Sequence, residues 1–396
     1  VNKIKPEAEI LFITHKYPPS TGGMQKQSFE LIKYASADRK VHTIIFGSNY
    51  PKFLFFLIVT PLAWWKIKRN KNIKIVHAND GLMALILTPL LKLQNRIKMC
   101  VTIHGLDIVF NSSFYQYWAK NYLSRFDFLI AVSEATKDEC VNAGIPEEKV
   151  HFIPNAVELP EKVEKDPSFV QWLTDHYQLD LTNQLIISSV GRPVPRKGFS
   201  WFAKNVLPQL ENTKYLVVGT ELTSSWVIIL AKKLLSAHLF ERVCKMLGVP
   251  LDSIVLNQIA KDPNSNLILL GKIPQDKLLQ TYIYSDIFVM PNFKIKGDFE
   301  GFGLVALEAA SLGAICLAAN VDGIPSAIKD GVNGFLLDSK NADAWIKKIN
   351  HLRTYNHMAD ARSSFSDYFL KSQMTWRNMS DEYLSLFDRY LKQESL

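Results

Sequence analysis

Two carboxylates eight residues apart, Glu300 and Glu308, stand in the stretch DFEGFGLVALEAASLG (298–313). A helix starting near Gly303 carries Glu308 about 1.5 turns in and leaves Glu300 in the loop before it. The amides of Phe302, Gly303 and Leu304 then point out of a helix start, where the backbone favours an anion. A carboxylate accepts from two hydroxyls at once, so the arrangement suits a ligand with both a negative group and neighbouring hydroxyls, a ribose or a hexose. A capping Glu followed by a solvated helix Glu is the plainer alternative. Gly301 and Gly303 around an aromatic residue make little sense in such a plain helix start.

Cations accompany a second strand end. SSVGRPVPRKG (188–198) places Arg192, Arg196 and Lys197 around two glycines just after an apolar run. The segment reads either as a solvated basic turn or as the seat of a diphosphate, with Arg bidentate and Lys a point charge. In HKYPPSTGGMQ (15–25), Gly22 and Gly23 precede a helical pattern. That loop is either a plain tight turn or a backbone cradle for a diphosphate. It is not G-x-G-x-x-G, so a nicotinamide cofactor is not indicated. His104 ends a strand in TIHGLD; at the carboxyl edge of a sheet it faces a cleft, and the functional reading is preferred over a structural one.

Short apolar, β-branched runs alternating with amphipathic ones position these residues. Strands are expected at 8–15, 41–47, 74–78, 98–105, 126–133 and 150–155, with helices at 25–35 and 134–144. The pattern weakens over the charged stretch 159–184 and restarts with strands at 185–191, 214–219, 266–271, 286–291, 314–319 and 334–338. Such runs separated by helices indicate parallel sheets covered on both faces. The fold class is α/β: two Rossmann-like doubly wound domains facing each other across a cleft, joined near 156–184. An N-terminal domain is expected over 1–165 and a C-terminal one over 166–374. A final amphipathic helix over 375–396 is expected to pack back on the first. Segment 221–264, with a helix or helix pair at 229–248, reads as a surface elaboration.

Composition narrows the class. The 396 residues carry 46 Lys+Arg against 38 Asp+Glu, and 47% are hydrophobic, as in folded globular proteins. The excess of positive charge is all in residues 1–150, with 20 Lys+Arg against 12 Asp+Glu. Four dispersed cysteines argue against a disulfide scaffold or a zinc site. The charged start and short first apolar run give no expectation of a cleaved leader, and no run approaches the ~20 residues of a membrane span. The basic residues lack aromatic interleaving on a known module, so nucleic acid is not an expected partner. One run, FLFFLIVTPLAWWKIKRNKNIK (53–74), joins Trp64 and Trp65 to Lys66, Lys68, Arg69, Lys71 and Lys74. It is either a buried helix ending in a basic turn or a stretch lying on an anionic membrane surface.

Taken together and in order, these segments resemble the family 4 retaining glycosyltransferases of GT-B fold (glycosyl transferases group 1). The carriers are HKYPPSTGG, VTIHGLD, FLIAVSEATK, VHFIPNAVE, SSVGRPVPRKG, LLGKIPQDKLLQTYIYSDIFVMPN, the E-x7-E motif EGFGLVALE, and GIPSAIKDGVNGFLL. The resemblance implies a nucleotide-sugar donor held mainly by the C-terminal domain, with no cofactor and no metal. It implies Arg192 and Lys197 on the diphosphate, Glu308 on the ribose and Glu300 on the donor sugar. Phe302, Gly303 and Leu304 would meet the distal phosphate and sugar, Lys272 and Ile273 the base, Gly22 and Gly23 the diphosphate from the other domain. His104 would lie near the reacting face of the sugar. Ser326 after GIP, LGAICLA in place of the family's common proline, and Gly219-Thr220 where Gly-x-Gly is frequent depart from the pattern without removing a catalytic group.

The expected activity is transfer of a hexosyl unit, with retention, to an acceptor hydroxyl in cell-surface polysaccharide, lipopolysaccharide or glycolipid synthesis. A cytoplasmic location, with peripheral attachment to the inner face of the membrane and a carbohydrate or lipid-linked acceptor, goes with that reading. The alternatives are another GT-B enzyme, such as a nucleotide-sugar epimerase, and a non-catalytic donor-binding or membrane-peripheral subunit.

Overall fold

A computed structural model describes residues 8–47, 50–159, 164–220, 244, 249–354 and 357–392. The first sheet holds β1 (Glu9–Thr14), β2 (Val41–Ile45), β3 (Ile73–Ala78), β4 (Lys98–Ile103), β5 (Phe128–Ala131) and β6 (Val150–Phe152), in the order β2-β1-β3-β4-β5-β6. The second holds β7 (Leu185–Val190), β8 (Thr213–Val218), β9 (Leu267–Gly271), β10 (Ile287–Met290), β11 (Ile315–Ala319) and β12 (Phe335–Leu337), in the order β12-β11-β10-β7-β8-β9. Every pairing is parallel. Each expected strand is therefore present, with ends that differ from the expected ones by up to three residues. Chain order reverses between β1 and β3 and between β7 and β10. Ligands of open parallel sheets bind beyond the carboxyl ends at such reversals, and those ends carry the candidate residues.

Strand alternation divides the core. Ile10 and Phe12 of β1 join the cluster under the C-terminal helix, while Leu11 and Ile13 join the cluster under the helix Lys52–Arg69. The helix Trp376–Lys392 returns to the first domain. Its Tyr390 stacks on Phe128 at 4.1 Å between centroids, Tyr383 shares a 3.0 Å hydrogen bond with Thr102, and Asp388 accepts from Arg39 at 2.6 Å.

Two stretches gain detail. The weak stretch 159–184 contains a helix, Pro167–Tyr177, capped by Asp166 accepting from Ser168 N, with Phe169 and Leu173 buried. Its surface charge obscured an i, i+4 apolar pair and a Pro at the first helical position. The helix Lys52–Arg69 packs one face, Phe55, Val59, Ala63 and Ile67, into the first-domain core and ends in a basic turn. Phe53, Leu57, Ile58, Trp64 and Trp65 are exposed, Phe53 at 61% and Leu57 at 69%. No helix among the described residues is long and apolar enough to cross a membrane. The helix expected at 229–248 lies outside the described residues except Cys244, as does the end of the C-terminal segment.

Candidate active site

The site is built where the two sheets face each other. On the second domain, β10 leads into Pro291-Asn292, and the loop that follows carries Asp298 and Glu300 to the turn after β7. Lys197 Nζ lies 2.7 Å from Glu300 Oε2, Asn292 Nδ2 donates to the same oxygen at 3.1 Å, and Arg196 Nη1 also donates to it. Arg196 Nε reaches Asp298 Oδ1 at 2.9 Å, and Glu300 N donates to Asp322 Oδ2 at 3.1 Å. Burial pushes the Glu300 carboxyl up, but Arg196 and Lys197 outweigh it and hold the group at about 2. Burial pushes the Lys197 ammonium below its ordinary value, with Glu300 opposing. Asp322, without a comparable cation, is raised by its burial.

Gly303 starts the helix Leu304–Ser311 at φ 98°, a left-handed conformation open to glycine, and no side chain caps that start. The first turn therefore offers its amides to a ligand rather than to a capping oxygen. Phe302 and Leu304 are both buried. Glu308, the fifth residue of the helix, accepts from Tyr282 at 3.3 Å and from Lys26 of the first domain at 2.9 Å. A cavity of about 680 Å³ opens beside this pair.

On the first domain, β1 ends just before His15, β3 leads into Asn79-Asp80, and β4 ends before His104. His104 is half-buried; its Nε2 is 2.9 Å from the Asn79 carbonyl and its backbone N–H donates to Asp107 at 3.0 Å. The domains meet in contact here. A Cβ at Gly301 would collide with the His104 carbonyl, and one at Gly105 with Phe299. The bare backbones of Gly105 and Gly301 let the two edges close. Ser326 Oγ, one of the sequence departures, accepts from Glu134 N across the same junction at 3.1 Å.

The structure brings together Lys197, Glu300, Phe302, Gly303, Leu304 and Glu308 at the second sheet, with His104 opposite. Gly22 and Gly23 form an exposed loop entering the helix Gly23–Asp38; a Cβ on Gly23 would lie 3.0 Å from Leu304 Cδ1. Lys272 is exposed and Ile273 half-buried just after β9. Arg192 is exposed at the end of β7, whereas Arg196 takes the position on Glu300. Sequence reasoning counted Arg196 among the loop cations without singling it out, and it missed Lys26, Tyr282 and Asn292. No local pattern marks them: Lys26 meets its carboxylate 282 positions away, where the domains dock. Among the described residues no group of three or more His, Cys, Asp or Glu could hold a metal ion.

A family model described as "Glycosyl transferases group 1" matches residues 174–368, and one described as "Glycosyltransferase Family 4" matches 9–161. The GDP-mannose-dependent α-(1-6)-phosphatidylinositol monomannoside mannosyltransferase of Mycolicibacterium smegmatis is 22% identical over 403 residues, covering 93% of this chain and 95% of the relative. A 41.2 kDa protein of the cps region of Klebsiella pneumoniae is 24% identical over 354 residues, covering 85% of this chain and 83% of that one. Among solved structures, Anabaena HepE in complex with UDP and glucose superposes with a TM-score of 0.69 at 18% identity, covering 97% of this chain and 100% of that one. Sucrose-phosphate synthase from Thermosynechococcus elongatus gives 0.70 at 16%, covering 98% and 100%. These likenesses show the GT-B fold.

Proposed function

The chain belongs to the family 4 glycosyltransferases, and from that premise we propose that it moves a hexosyl unit from a nucleotide diphosphate sugar to an acceptor hydroxyl with retention of configuration. The observation that carries the reading is the ion cluster of Arg196, Lys197 and Glu300 beside the uncapped start of the helix Leu304–Ser311. Breaking the glycosidic bond puts negative charge on the leaving diphosphate. Fixed cations and helix amides in a closed, water-poor cleft stabilise such charge without reorganising. Lys197, with Arg192 at the cleft mouth and the Phe302–Leu304 amides, takes that role; no metal is needed in it. Glu300 accepts from a sugar hydroxyl, Glu308 from the ribose, and the Lys272–Ile273 backbone meets the base. Gly22 and Gly23 close over the diphosphate from the opposite side.

Retention follows from attack on the face the diphosphate leaves, the departing phosphate taking the acceptor proton. Glu300 is not assigned as a nucleophile. Its oxygen is engaged by Arg196, Lys197 and Asn292, a setting for a hydrogen-bonding carboxylate rather than one beneath an anomeric carbon. His104 stands on the acceptor side of the reacting carbon.

The acceptor is lipid-linked in this reading, in polysaccharide or glycolipid synthesis at a membrane face. Support comes from the helix Lys52–Arg69. It exposes Phe53, Leu57, Ile58, Trp64 and Trp65, and its last turn carries Lys66, Lys68 and Arg69. Lys68 lies over the Trp64 ring at 5.4 Å and Arg69 over Trp65 at 5.2 Å. Apolar and aromatic side chains beside cations suit the boundary of an anionic bilayer.

The decisive experiment screens UDP, GDP and ADP sugars for nucleotide release with and without a crude lipid extract. Acceptor-dependent release with one nucleotide class is expected. No release with any donor, from protein that is folded, overturns the reading.

A further inference from the structure

Lys26 belongs to the first domain, yet its ammonium lies on the carboxylate that reads the donor's ribose in the function proposed above. Nζ is 2.9 Å from Glu308 Oε1, and the Tyr282 hydroxyl donates to Oε2 at 3.3 Å. Each oxygen is engaged once. A carboxylate offers about four lone-pair positions, so about two remain for the two hydroxyls of a ribose. The cavity beside the pair is lined from one side by Lys26, Glu30 and Lys33 and from the other by Tyr282, Glu308 and Ser311. It is thus a space that exists only when the domains are together. The Lys26 side chain is 35% exposed and that of Glu308 19%, so the pair adds little as a clamp; its consequence is directional.

We propose that Lys26 is a positioning residue for the nucleoside end of the donor: from the acceptor-side domain it fixes the Glu308 carboxylate so that the free lone pairs of both oxygens point at the vicinal ribose hydroxyls. Recognition of the ribose then depends on domain closure, although no ribose contact comes from the first domain itself. Lys26 enters through the same helix that begins at the Gly22-Gly23 loop. Approach of that loop to the diphosphate and orientation of Glu308 become one movement. The inference rests on Glu308 being the ribose ligand, and its test separates the two.

Affinities of UDP, GDP and ADP are measured by calorimetry against dUDP, dGDP and dADP, for the wild type and for Lys26→Met, Lys26→Arg and Glu308→Gln. The wild type is expected to favour the ribonucleotide. Lys26→Met is expected to weaken ribonucleotide binding about tenfold while leaving the deoxynucleotide nearly unchanged, and Lys26→Arg to restore the preference. Loss of the preference in Glu308→Gln but not in Lys26→Met overturns the role of Lys26 alone. A preference that survives in Glu308→Gln removes the ribose role of Glu308 and this inference with it. Equal weakening of both nucleotides in Lys26→Met, with melting unchanged, makes the pair a plain interdomain contact and also overturns the proposal.

Discussion

The two sheets end at one cleft but hold buried charge in opposite ways. At the second sheet, Glu300 and Asp298 are met by Arg196 and Lys197, and Glu300 stays ionised far into acid. At the first sheet the polar groups are just as buried but poor in cations. His15 and Asp80 form one pair at 3.1 Å, burial pushes His77 down to about 3 so that it is neutral, and burial raises Asp107. The count of charges by domain runs the other way, since the first 150 residues hold the entire positive excess. Much of that charge sits on the outer helix Lys52–Arg69 rather than at the cleft. Under the function proposed above, net charge marks the face offered to a surface, and the local pairing of buried ions marks the edge offered to a diphosphate.

The largest test removes the donor-side cation. Lys197→Ala is expected to lower turnover about 100- to 1,000-fold, the effect of losing one fixed stabilising group. Glu300 keeps Arg196 and Asn292, so melting is expected to shift by only a few degrees. Steady-state rates and a thermal melt on the same sample check this. Wild-type turnover would mean that the charged edge is structural and would dissolve the contrast.

Arg196→Met strikes the same cluster through stability. Taking away one partner of a buried ion group costs about 3 kcal/mol, measurable by denaturant unfolding near pH 7. The pH dependence has a definite sign. Glu300 is lowered from 4.5 to about 2 on folding, so its contribution is complete above about pH 5 and is lost as pH falls toward 2. With Arg196 gone, the Glu300 carboxyl moves back toward 4.5, so that loss is expected to be smaller and to be over at a higher pH. An unchanged acid limb would assign the low Glu300 value to Lys197 alone.

How far this contrast was legible in the sequence depends on the range of the interactions. The strands were readable because each is a continuous apolar, β-branched run such as LIISSV, buried on both faces. The Glu300 loop and the helix carrying Glu308 were readable because their geometry is local. Lys26 on Glu308 joins residues 282 positions apart and exists only through domain docking, which no local pattern encodes. That Arg196 lies on Glu300 joins residues 104 positions apart, with Arg196 presented by the turn Pro195–Lys197, and nothing in the run of loop cations marks it out. The outer helix was legible as apolar, but the sequence did not tell which of its faces the sheet covers.

That outer helix tests the remaining half of the comparison, charge at a surface against charge at a site. Trp64→Ala with Trp65→Ala is expected to weaken binding to anionic vesicles about tenfold in co-sedimentation, and raised salt to weaken it further. Turnover on a soluble acceptor is expected to stay near wild type, since both tryptophans are exposed and lie under cations of their own helix. A wild-type chain that does not bind anionic vesicles at low salt would leave the exposed apolar face to some other contact.

The smallest effect is expected at Asp107, and its smallness is the informative part. The carboxyl accepts from His104 N at 3.0 Å, and burial raises it above its ordinary value, the neighbouring His104 and the backbone amides opposing that shift without reversing it. A carboxyl raised on folding binds its proton more tightly in the native state. It therefore weakens stability as pH rises through its own titration, the opposite slope to Glu300. Asp107→Asn keeps an oxygen that accepts from the His104 amide and removes the charge. It is expected to change unfolding free energy at pH 7 by less than about 1 kcal/mol, with a stabilising sign, and to flatten the pH profile in the region where Asp107 titrates. A loss of about 3 kcal/mol, equal to that of Arg196→Met, would show that the first-sheet edge depends on an ionised carboxylate as the second does. The difference between the two edges would then lie in which partner neutralises the charge, not in whether charge is held there at all.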